Sequence, residues 1–160
     1  EPTPGDTDGE CGDIYYAKST FPWNDWPATS EHQQVNDDTT ETFQGFATIT
    51  SKRVGLDNVL IVAWEDDRHS EDTGEPNSIY DIYSAIIDED GNISTNKRVS
   101  DESSSSDFAF IADYFDVSVH RAVGDKIAYV TWTDRRDKTN IFDLEDDVAV
   151  DTVKLPNVIK

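Results

Sequence analysis

The apolar positions of this chain fall in short runs with the spacing of β-strands, and no stretch repeats at helical spacing between capping residues. Asp116 to Ala122 alternates polar and apolar residues, as a strand with one covered face does. Val59-Leu60-Ile61-Val62-Ala63-Trp64 is apolar without alternation and too short to favour a helix, so it predicts a strand covered on both faces. Asp81 to Ile87 is a β-rich run, Asp88-Glu89-Asp90-Gly91-Asn92 carries an Asp-Gly hairpin signature, and Lys97 to Ser100 returns as a strand. Further strands are expected over Phe46 to Lys52 and over Lys126 to Trp132, the latter after the Gly124-Asp125 turn. The pattern predicts an all-β fold.

The runs recur. Asp13-Ile14-Tyr15-Tyr16-Ala17 returns 68 residues later as Asp81-Ile82-Tyr83-Ser84-Ala85, and Trp64-Glu65-Asp66-Asp67-Arg68 returns at the same offset as Trp132-Thr133-Asp134-Arg135-Arg136. Val35-Asn36-Asp37 pairs with Val99-Ser100-Asp101 at an offset of 64. Each period holds four strand signals, the plan of a β-propeller blade. The expected organisation is an acidic segment over 1–12, one repeat over 13–80, a second over 81–146, and over 147–160 the first strand of a further repeat with a tail. That makes two four-stranded propeller blades plus one strand, incomplete as a closed ring, since a propeller typically needs at least four blades. Closure then calls for further blades from the same precursor, from identical copies or from a partner chain.

Asp13-Ile14-Tyr15-Tyr16-Ala17-Lys18-Ser19, Val35-Asn36-Asp37, and Val62-Ala63-Trp64 with Asp66 and Arg68 resemble the blades of the sialidase-like (BNR, Asp-box) propeller superfamily. Phe110-Ile111-Ala112-Asp113-Tyr114, Val130-Thr131-Trp132-Thr133-Asp134 and Asp147-Val148-Ala149-Val150 resemble a late blade of the same superfamily. The resemblance runs from Asp13 to Val153 and implies a propeller fold, while the superfamily spans glycosidases, carbohydrate-binding proteins and structural modules. The family's Asp-box turn, Ser-x-Asp-x-Gly-x-Thr-Trp, is degenerate here: Ser19 is followed by Phe21-Pro22-Trp23-Asn24-Asp25-Trp26-Pro27, with no Gly. A sialidase-like enzyme would also carry an Arg-Ile-Pro motif and an arginine triad for the substrate carboxylate, and no Arg-Ile-Pro occurs.

Charge narrows the partners. With 34 acidic and 13 basic residues the net charge is -21, which argues against nucleic acid as a partner, because little here could displace counterions from phosphates. Asp favoured in turns accounts for part of the excess, and Ca²⁺ binding or adaptation to salty surroundings could add to it. No apolar run is long enough to span a bilayer as a helix. The chain begins at Glu1 and holds no Met, as a product freed of a secretion signal would, so a secreted, extracellular or cell-surface location is expected. Cys11 is the only cysteine, which rules out a disulfide within the chain.

Four groups of residues are candidates for chemistry. Asp6, Asp8, Glu10 and Asp13 place carboxylates at near-alternate positions around a Gly turn, a spacing that suits Ca²⁺, against the simpler reading of a solvated acidic segment. Trp23 and Trp26 sit in a Pro-bounded loop and are candidates for stacking on sugar rings, or for filling a blade edge. Tyr114, beside Asp113 and Asp116, stands where a Tyr nucleophile could be imagined, although packing explains it as well. The recurring Trp64, Asp66 and Arg68, with Trp132, Asp134 and Arg136, are expected to be structural, because residues that repeat at the same place in each blade do not converge on one active site. The function expected from these residues is a non-catalytic extracellular propeller module for binding, adhesion or assembly. The alternative is a fragment of a sialidase-like glycoside hydrolase whose catalytic residues lie mostly outside this chain.

Overall fold

The computed structural model describes residues 12–19, 25–39, 42–54, 57–69, 80–101, 116–119, 127–134 and 147–155. Nine strands follow one another among them: β1 (Tyr15–Tyr16), β2 (Gln33–Gln34), β3 (Gln44–Val54), β4 (Asp57–Asp66), β5 (Asp81–Ile87), β6 (Lys97–Arg98), β7 (Asp116–Val119), β8 (Ile127–Asp134) and β9 (Asp147–Lys154). A single 3₁₀ turn at Thr29–Glu31, closed by the Ala28 N–H on the Glu31 carboxylate, is the only helical element described. The fold is all-β, and every pairing between strands is antiparallel.

The strands form a two-stranded sheet β1-β2, a four-stranded sheet in the order β3-β4-β5-β6, and a three-stranded sheet β7-β8-β9. This grouping differs from the division at residue 80. The four-stranded sheet takes its first two strands from the first sequence repeat and its last two from the second. A sequence period can be cut at any phase, whereas hydrogen bonding joins whichever strands lie side by side. Here β4 pairs with β5 across the boundary from Leu60↔Ile87 to Asp66↔Asp81.

The repeat itself survives at the level of register. Tyr15↔Gln34 in the first sheet corresponds to Tyr83↔Arg98 in the second. Thr48↔Ala63 corresponds to Asp116↔Thr131, and Trp64↔Tyr83 to Trp132↔Ala149. Offsets of 64 to 68 residues thus carry each pair onto its counterpart.

The sheets stack face to face. One side of β4 and β5, with Val62, Trp64, Tyr83, Ala85 and Ile87, packs with Val35, Ile14 and Tyr16 from the first sheet. The other side, with Val59, Ile61, Ala63 and Ile82, packs on Val117, Ala128, Val130, Trp132 and Val153 of the third. The middle strand is therefore covered on both faces, which is why its apolar run lacks alternation. In β8 buried residues alternate with half-buried ones. Burying a large apolar side chain contributes about 1.5–3 kcal/mol, so these two interfaces hold the stack together.

Candidate functional site

The end of the four-stranded sheet where β4 leaves and β5 enters gathers buried polar groups: Gln44, Glu65, Asp66, Asp67, Asp81 and Ser100. Trp64 and Asp66 are side by side on the same face of β4 because residues two apart in a strand point the same way. The Trp64 Nε1–H donates to Asp66 Oδ2 at 2.9 Å, and both side chains are fully buried. The chain turns after Asp67, and Arg68 folds back on the same carboxylate. Its Nε donates to Oδ1 at 2.8 Å and its Nη2 to Oδ2 at 2.7 Å, a bidentate fork, while its backbone N–H also donates to Oδ1.

Arg68 then reaches the neighbouring sheet. Nη1 donates to Asp37 Oδ1 at 3.0 Å and Nη2 to Asn96 Oδ1 at 3.2 Å. Asp37 and Asn96 are themselves locked by reciprocal bonds, each backbone N–H donating to the other's side chain. The guanidinium lies 4.0 Å from the centroid of the Tyr83 ring, which in turn stacks with Trp64. Burial alone would lower the basicity of Arg68, but the hydrogen bonds and charge of Asp66 outweigh it and hold the group above its ordinary value. Burial also raises the Tyr83 hydroxyl, against the pull of the Arg68 charge.

A second device recurs in both copies. Asp81, buried at the start of β5, accepts Arg98 Nε at 2.9 Å and Ser100 Oγ at 2.8 Å on Oδ1. At the start of the first copy, Asp13 Oδ1 accepts Gln34 Nε2 and Asn36 Nδ2, both at 2.8 Å. The Ser100 hydroxyl and the Asn36 carbonyl oxygen each accept a backbone N–H, from Ile82 and Ile14 respectively. The same fastening is therefore built from different side chains. Asp81 has an additional contact: its Oδ2 lies 2.7 Å from Nδ1 of His69, whose side chain is 37% exposed.

Asp67 is the least comfortable group of this cluster. Burial lifts its pKa from 3.8 to about 6, the Phe43 N–H partly offsets that rise, and the charges of Asp66 and Asp38 add to it. Beside it β3 bulges between Gly45 and Thr48, with Phe46 in the left-handed region at φ 51°. A Cβ at Gly45 would run into the Phe43 ring, so a larger residue there would force that ring to move. Phe43 contacts Phe46 and Tyr80, and the Phe46 ring is 70% exposed.

The remaining predicted residues are dispersed. Trp132 and Asp134 are buried in β8, and the Trp132 Nε1 has no hydrogen-bond acceptor among the described residues. Trp26 is 65% exposed. Asp6, Asp8, Glu10, Trp23, Tyr114 and Arg136 lie outside the described residues. Asp13 is occupied with Gln34 and Asn36, and among the described residues no three His, Cys, Asp or Glu side chains are placed to hold a metal. Comparison with protein families, with curated proteins and with solved structures finds no match to this chain.

Sequence reasoning paired Asp13 with Asp81 and Asn36 with Ser100 but did not join the two pairs into one clamp. The signal was present in the constant spacing of each pair. Asn96 and the aromatic group at Phe43, Phe46 and Tyr80 carried no such signal, because neither recurs.

Proposed function

We propose that this chain is a non-catalytic module of stacked blades, part of a sialidase-like propeller whose work is binding, adhesion or assembly outside the cell. The observation that carries the reading is the occupation of Arg68. Of the five N–H donors of a guanidinium, Nε, both of Nη2 and one of Nη1 are spent on Asp66, Asp37 and Asn96. A group so engaged cannot fork onto a substrate carboxylate, and it serves instead to tie two sheets together. Repeated strand register and the face-to-face order of the sheets support the propeller arrangement. Tyr15 on the first sheet and Val150 on the third are 48% and 58% exposed, which suits further blades at both ends of the stack. The exposed Trp26 suits a sugar ring, and the acidic segment with Asp6, Asp8 and Glu10 suits Ca²⁺.

The test is Arg68→Lys, which keeps the charge and loses the fork. Denaturant unfolding should register a loss of about 1–2 kcal/mol, with carbohydrate affinity per folded molecule unchanged. Turnover of a sialic acid reporter by the assembled protein, abolished by Arg68→Lys while the unfolding curve stayed in place, would favour the glycosidase reading instead.

A further inference from the structure

Two of the three copies of the repeat pair their first strand with a short returning strand, and they do it in the same way. Tyr15↔Gln34 and Tyr16↔Gln33 join β1 to β2, and Tyr83↔Arg98 and Ser84↔Lys97 join β5 to β6. One residue further on, the Val35 N–H donates to the Ile14 carbonyl and the Val99 N–H to the Ile82 carbonyl, both at 2.7 Å, and both valines are buried. The returning segments share a pattern, Gln33-Gln34-Val35-Asn36-Asp37 and Lys97-Arg98-Val99-Ser100-Asp101. Each sets the residues flanking its valine on one carboxylate: Gln34 and Asn36 on Asp13, Arg98 and Ser100 on Asp81.

The third copy has the receiving strand without its cover. β9 stands on β8 as β5 stands on β4, with Asp134↔Asp147 and Trp132↔Ala149 matching Asp66↔Asp81 and Trp64↔Tyr83. Asp147, Val148, Ala149 and Val150 therefore hold the places of Asp81, Ile82, Tyr83 and Ser84. β8 covers one edge of β9, and among the described residues no strand lies along the other. Thr152 registers the difference. Its counterpart Ile86 gives its N–H to Ser94 Oγ of the returning segment at 2.9 Å, whereas the Thr152 N–H donates to the neighbouring Asp151 carboxylate at 2.6 Å. An open edge presents backbone donors and acceptors in a row and is a template for a strand from another polypeptide. β9 carries Asp147 and Asp151 against the single Lys154, which favours the basic pattern, Lys-Arg-Val-Ser-Asp, over Gln-Gln-Val-Asn-Asp.

We propose that the open edge of β9 binds an extended segment of a partner chain of the form Lys-Arg-Val-Ser, running antiparallel to β9. The N–H of its valine takes the Val148 carbonyl, and its arginine takes Asp147. The valine then stands opposite Val148 and beside Val150, whose side chain is 58% exposed. The pairing rests on the repeat and on strand register, and it holds whether or not the blades close into a ring. The test is an amide NMR titration of the full chain with a capped peptide copying Asn96 to Asp101, Asn-Lys-Arg-Val-Ser-Asp. The controls are the same peptide N-methylated at its valine and a scrambled peptide of equal charge. The copy should give saturable shifts confined to 147–152 and slow the hydrogen exchange of the Val150 N–H. N-methylation removes one backbone donor and keeps every side chain, so it should weaken binding about tenfold or more, with the fold of the chain untouched. Asp147→Asn should weaken the unmodified peptide about fivefold. Absence of saturation at millimolar peptide, equal binding by the methylated or scrambled peptide, or shifts at β1 or β5 in place of β9 would overturn the proposal. Such a failure would leave the module reading standing, and an unclosed stack that still bound the peptide would leave the pairing standing, so the two fail separately.

Discussion

Trp64 and Trp132 occupy equivalent positions in β4 and β8, face the same way in the stack and are both buried, yet they live in different chemistry. Trp64 donates to Asp66, stacks on Tyr83 and belongs to a network that reaches Asp37 and Asn96. Trp132 stands opposite Ala149, and its ring nitrogen has no acceptor among the described residues. The difference teaches that the shared Trp-x-Asp spacing buries the ring in both strands, while the bond from the ring nitrogen to the carboxylate two residues on is made in β4. Tyr83 gives the Arg68 guanidinium an aromatic face to lie on, and Ala149 offers none.

Breaking the complete network should have the largest effect. Asp66→Ala strands the Trp64 N–H and the Arg68 fork in a buried setting, and it should cost about 3–5 kcal/mol in denaturant unfolding. A loss under 1 kcal/mol would place the stability of this region in packing alone.

A pH experiment sharpens the contrast next, because Asp67 has no carboxylate counterpart in β8's copy, where the equivalent residue is Arg135. The pKa of Asp67 is raised from 3.8 to about 6, so folding favours its protonated form. Its stabilising protonation is fully present below pH 3.8 and is lost as pH rises through about 6. Asp67→Asn, which keeps an acceptor for the Phe43 N–H, should therefore gain about 1–3 kcal/mol at pH 7 and nothing at pH 3. Melting curves across that range check it, and a gain that does not vary with pH would refute the account.

The smallest effect is the difference in cost between the two tryptophans. Trp64→Phe removes a hydrogen bond to a buried carboxylate as well as ring volume, so it should cost about 2–3 kcal/mol. Trp132→Phe removes an N–H that has no acceptor among the described residues, so relief of an unpaired donor offsets part of the lost volume and the cost should be about 1 kcal/mol. Equal losses in thermal unfolding would mean that the Nε1 bond of Trp64 contributes little.

The all-β class, the strand positions, the turn at 88–92 and the double coverage of β4 were legible in the sequence. Each rests on the period of two or on turn residues that act over a few positions. The hairpin is a case in point: Asp88 accepts the N–H of Asp90 and of Asn92, and the side-chain and backbone bonds from Asn92 hold its carboxyl below the usual range. The repeat was equally legible, since Trp-x-Asp and Asp-Ile-Tyr return at constant spacing. Only the tertiary structure decided how strands are shared among sheets and that Arg68 is spent on Asp37 and Asn96. Those outcomes depend on groups brought together from afar, as Asp37 and Asn96 are across 59 residues of chain. Period and turn chemistry act locally, whereas the satisfaction of a buried polar group is settled by whichever partners the packed sheets bring within hydrogen-bonding distance.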